Sequence, residues 1–425
     1  MRWLNHDRVR AVSALRRVRA PARLAPLAED PCEGRARLPE LLGAEVARNR
    51  YGEFLRVRQW LAEPEPLEDA EVLPRLLRTP AEAEEPGDSK RWLFLDTETT
   101  GLAGGTGTCA FLVGLGWWER GGFRIEQLFL RDYDEEHAVL LALAERLEER
   151  PVLVTYNGKS FDWPLLETRF RLTRQIEPHP PRAHLDLLHP ARQLWRVELG
   201  TARLAEIERH VLGLDRGPDI LSDLIPQMYF DFLRGGSPEP LVPVFEHNRG
   251  DLVGLATLAR RLARLGNAPE SGGPLEQYGL SRLFERAGDR AQARRVYQMA
   301  LGAGLPRAVG MAARRRLARL ARRDGESELA QSVWRGMAEG SEDAEQGEDD
   351  AERKQTLEAI LEACEQLAIH YEHRERNGQE AIEWTRHAIA LLVDAESGFG
   401  LERRVRDRWR TSLERRLLRL EKRSA

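Results

Sequence analysis

A mixed α/β domain followed by an all-helical domain is the fold class that this 425-residue sequence predicts. Three observations carry the prediction. Apolar segments at residues 92–95, 109–115 and 123–130, separated by glycine-rich turns, read as three successive strands of an antiparallel meander. From residue 135 onward helical and strand patterns alternate, which calls for a mixed sheet carrying helices. Past residue 266 the apolar positions recur at helical spacing alone, in sets that repeat. At about 150 residues per domain, a chain of this length holds more than one.

The opening 25 residues carry seven arginines against the single Asp7 and no continuous apolar run, so they read as a basic arm and not as a secretory signal. Residues 45–48 and 53–57 flank Tyr51-Gly52 as a short hairpin. Residues 63–90 hold five prolines, many acids and brief apolar patches, the composition of a poorly packed connector. Residues 1–90 thus precede a domain boundary near Arg91. The α/β domain occupies 91–265, with the three strands, a helix at 135–149, a buried strand at 151–155, a helix at 161–172 and a mostly helical close from 204 to 265. Gly217-Pro218 and Gly235-Gly236-Ser237-Pro238 interrupt that close.

Residues 266–425 make the helical domain. Ala293, Tyr297 and Ala300 have counterparts in Ala330, Trp334 and Met337, and again in Ala381, Thr385 and Ala388, each set spaced 0, 4, 7. This small, large, small stripe resembles the second helix of a tetratricopeptide unit, with Leu280 and Phe284 in first-helix positions and Pro306 near a repeat end. Between the second and third copies, residues 341–352 are acidic with almost no apolar residue and read as a solvated loop.

Composition narrows the function classes. With 42% hydrophobic and 32% charged residues and no run of 18 apolar residues, a membrane-spanning role is excluded and a cytoplasmic protein is expected. Cys32, Cys109 and Cys364 are far apart, with neither disulfide framework nor zinc spacing. The net charge of -4 excludes a chain that is basic throughout. Gly101, Gly104, Gly105 and Gly107 are followed by no Gly-Lys-Ser/Thr, so they predict a hairpin turn and not a nucleotide P-loop.

Chemistry concentrates in three places. Asp96 and Glu98 end the first strand of the α/β domain, and residues two apart share a face, so both carboxylates can converge on a hard divalent cation. Asp162 follows the 151–155 strand in Tyr156-Asn157-Gly158-Lys159-Ser160-Phe161-Asp162, at a helix start from which it can turn back toward the strand ends. His247 and Asp251, four apart on a late helix, share one face. Lys159, Arg169, Arg171 and Arg174 cluster around the second of these segments as possible phosphate contacts. His184 and Asp186 would share a face of an extended segment, and a structural role is the favoured reading for them.

In order along the chain, Asp-x-Glu, Asn-x3-Phe-Asp and His-x3-Asp resemble the three exonuclease motifs of the DEDD superfamily. The wording around them, from Phe94 to Leu102, through Gly105-Thr106-Gly107-Thr108 and Phe111-Leu112-Val113-Gly114, and from Tyr156 to Leu166, is similar to the YprB-type ribonuclease H-like domain, which tetratricopeptide units commonly follow. The resemblance covers residues 91–265 and implies a ribonuclease H-like fold: three antiparallel strands, then alternating strands and helices in one mixed sheet. It implies a metal-dependent nuclease, a 3′-5′ exonuclease on DNA or RNA, in which Asp96, Glu98, Asp162 and Asp251 hold two Mg²⁺ or Mn²⁺ ions and His247 is the general base. Three residues separate His247 from Asp251, the spacing of the superfamily's tyrosine variant, where four are usual for histidine. Thr97, Asn157, Lys159 and Phe161 are the expected nucleic-acid contacts, and the helical repeats would recruit a protein partner. The alternative is a non-catalytic nucleic-acid-binding adaptor.

Overall fold

The computed structural model describes residues 31–67, 69–79, 86–101, 107–119, 121–177, 180–214, 216, 220–340, 350–397 and 401–424. The basic arm up to residue 30, Gly104, Gly105, Gly217-Pro218 and the acidic residues 341–349 lie outside the described residues.

A first helix, α1 (Pro31–Leu42), leads into β1 (Glu45–Asn49) and β2 (Gly52–Leu61). After α2 (Val72–Leu76) come β3 (Trp92–Thr99), β4 (Ala110–Glu119), β5 (Gly122–Phe129), α3 (Glu136–Glu149), β6 (Val152–Thr155), α4 (Asp162–Thr173), β7 (Ala183–Asp186) and α5 (Leu188–Leu199). Two short helices, α6 (Leu204–Ile207) and α7 (Ile225–Leu233), precede the long α8 (Val242–Asn267). The strands form one mixed sheet of seven in the order β1-β2-β5-β4-β3-β6-β7. Pairing is antiparallel from β1 to β3 and parallel from β3 through β6 to β7. That is the mixed sheet expected of a ribonuclease H-like domain.

Alternation along β3 separates two cores. Trp92 and Phe94 face one side with Leu252, Leu255 and Leu258 of α8, whereas Leu93 and Leu95 face the other with residues of α3, α4 and α7. Helices therefore cover both faces, as the near-continuous apolar run of β4 requires.

Two expectations for residues 1–90 need correction. The hairpin is no separate unit, because β2 pairs with β5 from Leu55↔Phe129 to Leu61↔Phe123, so the sheet begins well ahead of Arg91. The connector is also partly packed. Val72, Leu73 and Leu76 are buried in the core that α8 shares, and Gly266 at the end of α8 admits the Val72 side chain. The brief apolar patches are short because they cover one end of one helix.

The helical domain comprises α9 (Pro274–Ala287), α10 (Arg290–Gly302), α11 (Arg307–Arg323), α12 (Ser327–Glu339), α13 (Asp350–His373), α14 (Gly378–Ser397) and α15 (Arg403–Ser424). The three repeated sets fall on α10, α12 and α14, and all nine residues are buried. Leu280 and Phe284 are buried on α9. The core at this end is continuous with the sheet, since the cluster containing Trp92 and Val152 extends through Tyr278 and Phe284 to Leu317. Gly279 of α9 makes that contact close, for a Cβ there would lie 2.5 Å from the Gln193 carbonyl oxygen of α5. Trp195 Nε1 donates to Glu276 at 2.9 Å across the same junction.

Candidate active site

The site forms at the C-terminal ends of β3 and β6, where the sheet turns from antiparallel to parallel pairing, the place where open α/β sheets leave a crevice. Asp96 and Glu98 continue the face of Trp92 and Phe94 and so point toward α8. Asp96 stands opposite Gly114 of β4. A Cβ on Gly114 would lie 2.2 Å from Asn248 Oδ1, so glycine is what lets α8 approach the strand.

Asn248, fully buried on α8, donates from Nδ2 to Asp96 Oδ2 at 2.8 Å and to the Asp96 carbonyl at 3.3 Å. Its Oδ1 accepts from Gln127 Nε2 of β5 at 2.9 Å. Gln127 also donates to the Phe245 carbonyl at 2.9 Å, so it cannot turn, and it fixes which end of the Asn248 amide faces Asp96. Against this one amide stand several acids. The Asp96 carboxyl is pushed well above its ordinary value, first by burial, then by the charges of Asp251, Glu98 and Asp162. Asp251, Glu98 and Asp162 thus lie near enough for their charges to act on Asp96.

Asp162 opens α4, and its Oδ1 accepts from the Thr97 hydroxyl at 2.6 Å. Burial raises its pKa and the Thr97 hydrogen bond works against the rise. The turn ahead of it is held from β7. Asp186, 2% exposed, accepts from the backbone N–H of Asn157 at 2.8 Å, of Lys159 at 3.1 Å and of Leu188 at 3.1 Å. Those bonds stabilise the left-handed φ of 69° at Asn157, which few residues other than glycine tolerate. His184 Nε2 lies 2.8 Å from Thr155 Oγ1, and burial, then Lys159, lowers its pKa to about 4. The structural reading of His184 and Asp186 fits these partners. Lys159 is exposed, as is Phe161 at 60%.

On α8, His247 Nε2 lies 3.5 Å from Asp251 Oδ2 and 3.8 Å from Glu98 Oε1, which links the helix pair to the first strand. Sequence reasoning missed a neighbour of Asp251. Arg216 Nη1 donates to Asp251 Oδ1 at 2.6 Å, and its other terminal nitrogen pairs with Glu208, 1% exposed. Burial opposes the guanidinium charge, but Asp251 and Glu208 outweigh it and raise the pKa. No local pattern announces this pairing. Asn248, by contrast, lies inside the His-x3-Asp segment, where its helical phase, one residue from His247, turns it inward.

Residues 93–263 match the RNase_H superfamily model. The ribonuclease H superfamily domain thus spans β3 through most of α8, with every expected site residue inside it. The chain is also 35% identical over 196 residues to the uncharacterized protein YprB of Bacillus subtilis (strain 168). That match covers 45% of this chain and 47% of the relative, so the similarity spans about half of each protein. Nucleases of the ribonuclease H superfamily generally use divalent metal ions. No described helix is long and apolar enough to cross a membrane.

The donor chemistry fits such an ion. All four expected ligands are carboxylates, the hard oxygen donors that Mg²⁺ and Mn²⁺ prefer, and after burial it is the other three acids that raise the pKa of Asp96. Among the described residues no three His, Cys, Asp or Glu side chains are drawn close enough to hold a metal as they stand. Arg216 on Asp251, Thr97 on Asp162 and Asn248 on Asp96 each engage one oxygen of the carboxylate. One expected phosphate contact needs correction. Arg169 bonds Glu136 through Nε at 2.6 Å and Nη2 at 2.5 Å, an ion pair between α4 and α3 that uses its fork internally.

Proposed function

We propose that this protein is a metal-dependent nuclease that hydrolyses phosphodiester bonds of DNA or RNA from a 3′ end. The observation that carries the reading is the raised pKa of Asp96, which arises first from burial and then from the charges of Asp251, Glu98 and Asp162. Two Mg²⁺ or Mn²⁺ ions held by Asp96, Glu98, Asp162 and Asp251 would supply activation of water and stabilisation of the departing 3′ oxygen. His247, between Glu98 and Asp251, is the side chain placed to accept the proton of the attacking water at Nε2. Asn248, oriented by Gln127, donates to Asp96 Oδ2, which favours the ionised form against burial and the other acids and fixes the carboxyl's orientation. Thr97 orients Asp162. Lys159 takes a phosphate, Asn157 contacts the strand through the turn that Asp186 holds, and the exposed Phe161 ring offers a face on which a base can stack.

The non-catalytic adaptor reading is favoured by one observation, the ion pair of Arg216 with Asp251, which already answers one of the acids. The test is digestion of 3′- and 5′-labelled single- and double-stranded DNA and RNA with Mg²⁺, with Mn²⁺ and with chelator. Metal-dependent shortening from the 3′ end, lost in Asp96→Ala, is expected. Substrates left intact under every condition, with Asp96→Ala binding them as the parent does, would establish the adaptor.

A further inference from the structure

A second region outside the site is shaped for an anion. Helix α11 carries seven arginines and no acid in 17 residues. Tyr278 and Arg282 of α9, Met311, Arg315, Arg316 and Arg319 of α11 and Thr356 of α13 line a cavity of about 300 Å³. It adjoins a second cavity of about 440 Å³, which shares Arg319 and adds Arg322 and Arg323. Together they make a groove along the side of α11 that faces α9 and α13. Two acids answer this charge. Glu362 accepts from Arg315 Nε at 2.5 Å and from Arg319 Nε at 2.6 Å, and Glu285 accepts from Arg316 Nη1 at 3.1 Å. Arginine remains in excess, and the acids fix the guanidinium planes in place instead of cancelling them.

Arg315, Arg319 and Arg322/Arg323 follow one another at steps of three and four residues, so they share a helix face and rise by about 4.5–6 Å per step. Glu362 takes Nε and Nη2 of both Arg315 and Arg319, so a chain of phosphates would meet their remaining Nη1 groups together with Arg282, Arg322 and Arg323, where the unbalanced positive charge lies. Arg282 lies with its guanidinium 5.8 Å from the ring centre of the buried Tyr278, which holds that cation at the edge of the groove. We propose that this groove is a second nucleic-acid contact, a track for the phosphates of a single strand beyond the cleavage site. The choice of nucleic acid rests on the nuclease reading above.

The experiment measures binding of a labelled single-stranded oligonucleotide to the full chain by anisotropy, with chelator present, across a salt series. Each phosphate contact on a single strand contributes about 0.7 to the slope of log affinity against log salt, so Arg282→Gln with Arg323→Gln is expected to lower the slope by about 1.4. These positions leave the Glu362 and Glu285 ion pairs intact. Should the pair melt early by circular dichroism, the exposed Arg323→Gln alone carries the same test with half the change. A slope and affinity unchanged by the substitutions would overturn the proposal, as would displacement of the oligonucleotide by a glutamate-rich peptide of equal charge at equal concentration. Failure of the nuclease reading looks different: no cleavage with metal, while the slope still responds to the arginine substitutions.

Discussion

Asp96 in the α/β domain and Glu372 in the helical domain are both carboxylates withdrawn from water, and the chain answers them in opposite ways. Glu372 on α13, with a side chain 2% exposed, accepts from Arg416 at 2.8 Å, Arg419 at 2.7 Å and Arg423 at 3.3 Å, all from α15. Burial pushes its pKa up, but Arg419 and the other cations outweigh burial and hold it below the ordinary value. Asp96 meets one amide and three further acids, and its pKa goes up. A buried acid that the chain itself neutralises ties one element to another. An acid that the chain surrounds with like charge is left for a cation supplied from outside.

The comparison breaks most sharply at Asp96. Replacing it as Asp96→Asn is expected to cut metal-dependent cleavage by at least about 100-fold, the scale of losing a preorganised electrostatic group, while urea melts show stability unchanged or raised as repulsion falls. Cleavage at the parent rate would remove Asp96 from the mechanism. Glu372→Gln should do the reverse, with cleavage kept and stability lowered by about 2 kcal/mol. That figure is below the cost of breaking a fully buried pair because Arg419 and Arg423 reach solvent, and a urea titration measures it.

A smaller effect separates catalytic from structural titration. The pKa of His184 is lowered in the folded state, so the stability it contributes is present above its unfolded value near 6.5 and is lost as pH falls toward about 4. Between pH 7 and pH 5 the loss is roughly 1.5 kcal/mol, and His184→Gln should flatten that part of the stability profile. An equally steep profile in the variant would assign the acid sensitivity elsewhere. Gln127→Leu removes two hydrogen bonds, to Asn248 and to the Phe245 carbonyl, at a cost of about 1–2 kcal/mol. It should still lower cleavage, because the Asn248 amide is then free to turn its oxygen toward Asp96. Normal cleavage in Gln127→Leu would show that Asp96 holds its orientation without the relay.

Much of the candidate site was legible because the signals are local. Period two places Asp96 and Glu98 on one face of β3, and a separation of four places His247 beside Asp251 on α8. The buried stripes of α10, α12 and α14 were legible for the same reason, since a helix repeats its environment every few residues. Arg169 shows the limit of such reading. Its position beside the second motif suggested phosphate, but its partner Glu136 comes from another helix, 33 residues away.

By itself the sequence determined the element types, the alternation that buries one face of β3 against α8, and the identity of the acids available for chemistry, because each depends on neighbours a few residues apart. Tertiary structure alone decided that the early hairpin would extend the sheet through β5, that Gly114 would open a place for Asn248, and that Arg216 would close on Asp251 and Glu208. Those outcomes rest on contacts between residues far apart in the chain. They exist only once several helices have packed on one sheet, and no periodicity records which distant side chain will fill the space beside a glycine or answer a buried charge.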